Sequence, residues 1–221
     1  MPKHVIYFVP GLAASTKIFE YLDLDESKFE LHYLNWILPA TPRESISEYA
    51  ARMCAQIQHP DPILVGVSFG GVMVQEMSKL ITTKKVVIIS SIKSNKELPT
   101  RLKLAQKTKA YKLFPSKMVS HIEDYEKYFF NDYLKKRAEL YKLYLSFRDE
   151  RYLDWAIYNV LHWSQTEQLP DIVHIHGNKD EIFPVKNIDN AILIESGTHI
   201  MILNKAKTIS KILEKQCFLL T

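Results

Sequence analysis

Short runs of apolar, β-branched residues alternate along much of the chain with segments of helical periodicity. Six such runs are bounded by glycine, proline or polar residues, a pattern typical of buried parallel strands. They are His4–Val9, Phe29–Leu34, Ile63–Val67, Lys85–Ile89, Ile172–Ile175 and Ala191–Ile194. The sequence therefore predicts the α/β class, with a doubly wound, mostly parallel sheet of six strands.

Helical patterns fill most intervals between these strands. Apolar residues recur at helical spacing from Ile46 to Ile57, again within Phe69–Ile81, and in the tail that starts at Asn204. The segment Thr41–Glu44 has the form of a capping box, with proline at the first helical position. We therefore expect the first of these helices to begin there.

Residues 95–168 interrupt the alternation, because they contain no good strand pattern. A second capping box at residues 120–123 and an apolar stripe from Leu153 to Leu161 indicate helices instead. We expect residues 1–94 and 169–221 to form the core and residues 95–168 to form a helical cap insertion. Most of its aromatic residues should pack it onto the sheet, and a subset could line an apolar acyl pocket.

The composition is that of an ordinary globular chain, with 47% hydrophobic and 24% charged residues among 221. The two cysteines, Cys54 and Cys217, are too few for a disulfide framework. No apolar stretch approaches the ~18 residues of a membrane span, and the N-terminus lacks the pattern of a signal peptide. We therefore expect no membrane span and a cytoplasmic location.

The charge of the chain identifies no partner by itself, because the formal net charge is only +4. The stretch 93–117 is strongly basic, with eight Lys or Arg against one Glu. It is either a solvated helix face or a surface that attracts an anionic substrate. Since no nucleic-acid reading motif accompanies it, we expect no nucleic-acid partner.

Glycine is scarce, and its six positions fall in four short stretches that follow predicted strands. One stretch, Gly-Val-Ser-Phe-Gly-Gly at 66–71, lies between a strand and a helix. A serine at the tip of so sharp a turn needs tiny neighbours, here Gly66 and Gly70, and the pattern is that of a nucleophile elbow. Ser68 is the candidate nucleophile. A glycine-rich turn with an incidental serine is the alternative.

A serine hydroxyl is a weak nucleophile at neutral pH and needs an adjacent base. His199 follows the sixth predicted strand, and Asp180 follows the fifth. Because the carboxyl ends of parallel strands meet at one edge, we expect both to converge on the serine. Glu181 and Glu195 are weaker candidates for the orienting carboxylate, and Asp180 could instead be an Asx turn-former.

The segment Val-Pro-Gly-Leu at 9–12 follows the first predicted strand. A tetrahedral intermediate needs two donors aimed at its oxyanion. We expect these donors to be the backbone N–H groups of Leu12 and Phe69, with Gly11 allowing the chain to curl towards the serine. A plain Pro-Gly turn is the alternative.

With these motifs in place, the chain resembles the α/β-hydrolase superfamily over essentially its whole length. The order Ser68, Asp180, His199 matches that family's order, and the helical insertion lies where the family places its cap. Pro10 stands where the family often has histidine. The chain also begins at what resembles the family's third strand, so a trimmed, six-stranded version is expected.

The resemblance implies a serine hydrolase that cleaves a carboxylic ester of a small molecule through an acyl-enzyme, without a cofactor. An acyl thioesterase is the first alternative, and other chemistry of the same triad, such as C–C bond cleavage, is another. The non-enzymatic alternative is a catalytically silent binding protein on the same fold. The sequence specifies neither the substrate nor the oligomeric state.

The remaining histidines that we considered show no metal-ligand spacing of the His-x-x-x-His or Cys-x-x-Cys kind, so no metal is expected. His174 and His176 share one face of the fifth predicted strand, and His176 could approach the site. His162, beside Trp163, is expected to be a surface or packing residue of the insertion.

Overall fold

The computed structural model describes residues 2–113, 116 and 143–218. Its centre is a sheet of six strands in the order β2-β1-β3-β4-β5-β6, and every neighbouring pair is parallel. The strands are β1 (His4–Val9), β2 (Phe29–Tyr33), β3 (Ile63–Val67), β4 (Lys85–Ile89), β5 (Val173–Gly177) and β6 (Ile192–Ile194). The predicted strands are confirmed, with small shifts at the ends of β2, β5 and β6.

Helices connect and cover these strands. They are α1 (Ile46–Cys54), α2 (Phe69–Met77), α3 (Thr100–Thr108), α4 (Glu150–Leu161), α5 (Met201–Asn204) and α6 (Ala206–Phe218). Short 3₁₀ segments lie at Thr16–Phe19, Asn95–Glu97, Ala110–Leu113 and Val185–Asn187. Among the described residues, no helix combines the length and the hydropathy that crossing a bilayer requires.

The strand order reverses between β1 and β3. From β1 the chain moves outward to β2, returns to the other side of β1 to form β3, and then proceeds through β4 and β5 to β6. In open α/β sheets such a reversal opens a crevice at the carboxyl ends of the two strands concerned. The loops after β1 and β3 both border this crevice.

Both faces of the sheet are covered at its central strands, which explains why β3 and β4 are almost continuously apolar. Tyr7 and Val9 of β1 belong to one buried cluster, together with side chains of α1, α2 and α4. Ile6 and Phe8 alternate with them and belong to a second cluster, together with side chains of α5 and α6. Helices on both faces confirm the doubly wound arrangement.

The predicted start of α1 is wrong by several residues. The N-cap is Ser45, whose hydroxyl accepts from the backbone N–H of Glu48 while the Glu48 carboxylate accepts from the Ser45 N–H. Thr41 and Glu44 form a turn instead, and the Glu44 carboxylate binds the Arg52 guanidinium at 2.9 Å. Two Ser/Thr-x-x-Glu patterns follow one another here, at residues 41–44 and 45–48, and the second one caps the helix.

Helices α3 and α4 lie between β4 and β5, as the predicted insertion requires. The apolar stripe of α4 forms the expected helix, and its Trp155 ring stacks on Tyr49 of α1 at 4.1 Å between ring centroids. The Trp155 indole N–H also donates to the Glu44 carbonyl at 2.8 Å. The predicted capping box at 120–123 lies outside the described residues. The boundaries 95 and 168 remain a prediction.

Candidate active site

Ser68 occupies a strained turn between β3 and α2. Its φ of 53° and ψ of −118° lie outside the regions that residues with a side chain ordinarily occupy. Two contacts hold this conformation: the Ser68 N–H donates to the Ile89 carbonyl at 2.9 Å, and the Ser91 hydroxyl donates to the Ser68 carbonyl at 2.7 Å. Strain that the surroundings maintain in this way is common at functional sites.

The two glycines that flank Ser68 are required by close backbone approach. A Cβ on Gly66 would collide with the backbone of Gly70, and a Cβ on Gly70 would collide with the carbonyl oxygens of Val9 and Pro10. The turn can therefore be this tight only when both positions lack a side chain. Close backbone packing on both sides of Ser68 therefore explains the Gly-x-Ser-x-Gly spacing in the sequence.

Three side chains that are distant in sequence meet at the carboxyl edge of the sheet. The Nε2 atom of His199 lies 2.9 Å from Ser68 Oγ. The Nδ1 atom of the same ring lies 2.9 Å from Asp180 Oδ2 and 3.1 Å from Oδ1. The structure therefore brings together all three side chains that the sequence nominates, in a continuous chain from hydroxyl to imidazole to carboxylate.

Burial and backbone donors fix the carboxylate of Asp180. Its side chain is 0% exposed, against 21% for the imidazole of His199. Asp180 Oδ1 accepts from the N–H groups of Ile182 at 2.8 Å and Phe183 at 2.9 Å. Asp180 therefore forms an Asx-type turn and also contacts the His199 imidazole. Because an ionised carboxylate only accepts, it favours the imidazole tautomer with hydrogen on Nδ1 and a free acceptor at Nε2.

The rival carboxylates point to other partners. Glu195 Oε2 accepts from the side-chain amide of Asn178 at 2.6 Å. Glu181 is exposed at the surface. Within the described residues, the carboxylate that contacts His199 Nδ1 is that of Asp180.

Two buried histidines lie behind the carboxylate on β5. His176 Nε2 lies 2.8 Å from the Phe183 carbonyl and 3.7 Å from Asp180 Oδ2, and its Nδ1 lies 3.1 Å from His174 Nε2. Burial lowers the pKa of both imidazoles, and for His174 the neighbouring His176 lowers it further. His176 thus approaches the site from the strand end, in contact with the turn that carries Asp180.

The loop after β1 borders the serine. A Cβ built on Gly11 would lie 3.6 Å from Ser68 Cβ, an ordinary contact distance. The φ of Gly11 is not positive, and the positive φ in this loop belongs to Ala13, at 62°. Leu12 is half-buried in the loop, and Phe69 is buried at the first position of α2. Their N–H groups remain the predicted oxyanion donors.

Trp36, which no sequence pattern indicated, links the two segments that carry these predicted donors. Its indole N–H donates to the Gly11 carbonyl at 2.9 Å. Its ring stacks on Phe69 with centroids 5.4 Å apart. The available signal was a tryptophan just beyond the carboxyl end of a strand, at the edge where the other site residues were expected.

The basic stretch reaches the loop next to the carboxylate. None of the residues of α3 is buried, as expected for a solvated helix face. The Arg101 guanidinium donates to the carbonyl oxygens of Glu181 and Ile182, immediately after Asp180. At least part of the positive charge therefore lies beside the candidate site.

Among the described residues, one cluster has the ligand types of a metal site. Glu30, His32 and His59 bring one ligand atom each to within 4.8 Å of one another. Glu30 and His32 belong to β2, at the opposite edge of the sheet from β6. This cluster is therefore separate from the Ser68, His199 and Asp180 side chains.

No family model and no curated protein matches the chain. Solved structures do match it over nearly its full length. An esterase from Thermogutta terrifontis is 10% identical, with 98% of this chain and 90% of that chain covered and a TM-score of 0.68. An epoxide hydrolase from Bacillus megaterium is 14% identical, with 97% and 93% covered and a TM-score of 0.65. A bromoperoxidase from Bacillus anthracis is 14% identical, with 97% and 92% covered and a TM-score of 0.62.

The TM-scores show a shared architecture, whereas identities of 10–14% do not show a shared chemistry. The six-stranded parallel sheet with helices on both faces fits the fold of these neighbours. The α/β-hydrolase fold expected from the sequence is therefore confirmed.

Proposed function

We propose that this chain, built on the α/β-hydrolase fold, is a serine hydrolase that cleaves carboxylic esters of small molecules through an acyl-enzyme. The observation that carries the proposal is the continuous contact from Ser68 Oγ to His199 to Asp180, at 2.9 Å for each link. This arrangement of hydroxyl, imidazole and buried carboxylate is the one that activates serine in acyl transfer on several unrelated folds.

In the first half-reaction, Ser68 Oγ attacks the carbonyl carbon of the ester while His199 Nε2 accepts the hydroxyl proton. The imidazolium that forms is held by Asp180, whose charge is opposite and whose position is fixed by two backbone N–H groups. The C–O bond to the leaving group then breaks, and His199 returns the proton to the departing alkoxide. The products of this half are the alcohol and acyl-Ser68.

In the second half-reaction, water replaces the alcohol. His199 Nε2 accepts a proton from the water as its oxygen attacks the acyl carbon, and the proton is then delivered to Ser68 Oγ as the ester to the enzyme breaks. The free acid leaves and the resting site is restored. No cofactor takes part in either half.

The tetrahedral intermediates carry a negative oxygen that needs fixed donors. We assign this role to the N–H groups of Leu12 and Phe69. The support for it is the proximity of the Gly11 loop to Ser68 and the position of Phe69 at the N-terminus of α2. A donor lost from such a site typically costs about 10²–10³-fold in kcat.

An acyl thioester is the second candidate substrate. The observation that favours it is the basic helix α3, whose Arg101 contacts the backbone beside Asp180. A thioester carried by a phosphate-bearing group would gain long-range attraction from this surface. The triad chemistry is the same, with a thiol as the leaving group.

The test compares hydrolysis of p-nitrophenyl esters and of acyl-CoA thioesters of equal chain length by the wild-type protein and Ser68→Ala. We expect turnover of at least one series by the wild type and a loss of about 10⁴–10⁶-fold in kcat for the variant.

Ser78→Ala, at the C-cap of α2, is the matched control, and it should keep wild-type activity. A folded wild-type protein that turns over neither series would favour a binding protein on this fold. Turnover that survives in Ser68→Ala would overturn the assigned nucleophile.

A further inference from the structure

Two histidines and a glutamate converge on the edge strand β2. Glu30 and His32 are two residues apart on this strand and therefore share a face. His59 reaches them from the loop between α1 and β3. Glu30 Oε1 lies 2.8 Å from His32 Nε2 and 3.5 Å from His59 Nε2.

Tyr7 on the neighbouring strand β1 orients both imidazoles. Its hydroxyl oxygen lies 2.8 Å from His59 Nδ1, and its ring stacks on His32 with centroids 4.7 Å apart. The same oxygen accepts from the Gln58 N–H at 3.1 Å. A second partner on the other ring nitrogen is how metal-binding histidines are usually held and their tautomer fixed.

The hydrogen-bond pattern accommodates a cation between the three groups. When His59 donates from Nδ1 to the Tyr7 oxygen, its Nε2 presents a lone pair towards the carboxylate of Glu30 at 3.5 Å. A carboxylate and a lone pair that face each other repel, and a cation between them turns this repulsion into two coordinate bonds.

We propose that Glu30, His32 and His59 form a binding site for a divalent transition metal ion, with Zn²⁺ as the representative ion. Two imidazole nitrogens and one carboxylate oxygen are a common donor set for zinc. With zinc–ligand bonds of about 2.0–2.2 Å in a tetrahedron, ligand atoms lie about 3.4 Å apart. The two separations from Glu30 Oε1 bracket this value.

Partial exposure leaves room for a fourth ligand. The side chains of His32 and His59 are 33% and 32% exposed, and that of Glu30 is 45% exposed. An ion can therefore enter from solvent and keep a water molecule at its open position. Bound there, it cross-links the edge strand β2 to the loop that leads into β3, so it should stabilise the fold.

Spacing in the sequence predicts no metal, because the third ligand follows the second by 27 residues and the first two form only a Glu-x-His pair. Parallel pairing of β1 with β2 places His32 opposite Tyr7, and the loop after α1 supplies His59. The site is thus a product of tertiary structure. It is independent of the proposed hydrolase activity.

The experiment measures Zn²⁺ binding to chelator-treated protein by competition with a chromophoric chelator, and thermal unfolding with and without Zn²⁺. We expect one ion per chain with a Kd in the micromolar range, and a rise in Tm of roughly 5 °C at zinc well above the Kd. His32→Gln and His59→Asn should each weaken binding at least 10-fold and abolish the rise in Tm. Each variant should still unfold cooperatively without metal, at a Tm lowered only by the lost contact with Tyr7, which shows that it folds.

Two further variants separate this site from other histidines. His162→Gln removes a histidine elsewhere and should bind Zn²⁺ as the wild type does. His199→Ala should also keep one ion per chain. Co²⁺ bound to the wild type should give the intense visible absorption of a tetrahedral site, and His59→Asn should remove it. Absence of binding at 100 μM Zn²⁺, or binding that is lost in His199→Ala and kept in His59→Asn, would overturn the proposal.

Discussion

His199 Nε2 lies 2.9 Å from Ser68 Oγ, although the two residues are 131 positions apart in the sequence. The contact exists because β3 and β6 end at the same edge of a parallel sheet. The loop after β6 is held against the end of β5 by a close approach of Gly197 to Gly177, where a Cβ on Gly177 would collide with the Gly197 backbone. Packing of two glycine loops thus helps to determine where the imidazole lies.

Asp180→Asn should lower kcat by about 10⁴-fold, as expected when a triad carboxylate becomes an amide. The asparagine oxygen can still accept from the N–H groups of Ile182 and Phe183, so its amide group would face His199 Nδ1. The imidazole would then carry its hydrogen on Nε2 and could not accept the Ser68 proton. Steady-state ester hydrolysis measures the effect. Glu181→Gln, one residue away and exposed, should retain full activity, and a loss below 10-fold in Asp180→Asn would contradict the assigned role.

Trp36→Phe tests whether the indole positions the oxyanion loop. The substitution keeps an aromatic ring against Phe69 and removes the hydrogen bond to the Gly11 carbonyl. We expect kcat to fall about 10-fold with little change in KM, because small misplacements of donors weaken transition-state binding. Stability should fall by about 1 kcal/mol, since the Gly11 carbonyl loses the bond from the indole and keeps the one from the Ala14 N–H at 3.0 Å.

The matched control is Trp163→Phe, which removes another buried indole hydrogen bond, to Glu76 Oε1 at 2.7 Å. It should cost a similar free energy of unfolding and leave kcat within twofold of wild type. Equal losses of kcat in the two variants would show that Trp36 acts through stability alone.

Sequence patterns predicted the central strands β3 and β4 well because they are buried on both faces and therefore consist almost entirely of apolar residues, mostly β-branched. They also nominated Ser68, Asp180 and His199, because these residues occupy short glycine-containing loops directly after strands. The capping box at Thr41 predicted the wrong start for α1, because a second capping-box pattern, at Ser45, begins four residues later and caps the helix.

Features that depend on tertiary contacts were not predictable in this way. Trp36 contacts Gly11 and Phe69 only after three strands have assembled, and Ser91 meets the Ser68 carbonyl only after β3 and β4 pair. The positive φ in the loop after β1 belongs to Ala13 and not to the neighbouring Gly11, although alanine rarely adopts it. The alternation of apolar residues contains none of this information.

Alanine substitution should strongly destabilise the fold at Gly70 and leave its stability almost unchanged at Gly11. In Gly70→Ala the new methyl group would meet the carbonyl oxygens of Val9 and Pro10, which are backbone atoms that cannot move without displacing β1. We expect a loss of roughly 3 kcal/mol or failure to fold. In Gly11→Ala the methyl group would lie 3.6 Å from its nearest neighbours, so stability should change by less than about 0.5 kcal/mol. Chemical denaturation measures both, and equal stabilities would refute the close-approach argument.

The buried histidines on β5 should make the fold sensitive to acid. Burial lowers the pKa of His174 and His176 in the folded chain, so both stay neutral there while the unfolded chain binds protons below pH 6.5. Stability is therefore fully present above pH 6.5 and is lost as pH falls below it, by up to about 1.4 kcal/mol per pH unit for each group.

His174→Gln removes one of these groups and keeps a polar partner for His176. Between pH 7.5 and 5.5 we expect its free energy of unfolding to fall by about 1 kcal/mol less than that of the wild type. His162→Gln should follow the wild-type curve. Parallel curves for His174→Gln and the wild type would show that His174 is not held neutral in the folded chain.

Labelling with a fluorophosphonate probe, followed by mass spectrometry of the digested protein, tests the central claim most directly. Such a probe reacts with a serine only when a neighbouring base activates its hydroxyl. The account predicts one adduct per chain, located on the peptide that contains Ser68, with no adduct in Ser68→Ala or His199→Ala and normal labelling in Ser78→Ala. A folded wild-type protein that remains unlabelled, or an adduct that persists in Ser68→Ala, would contradict it.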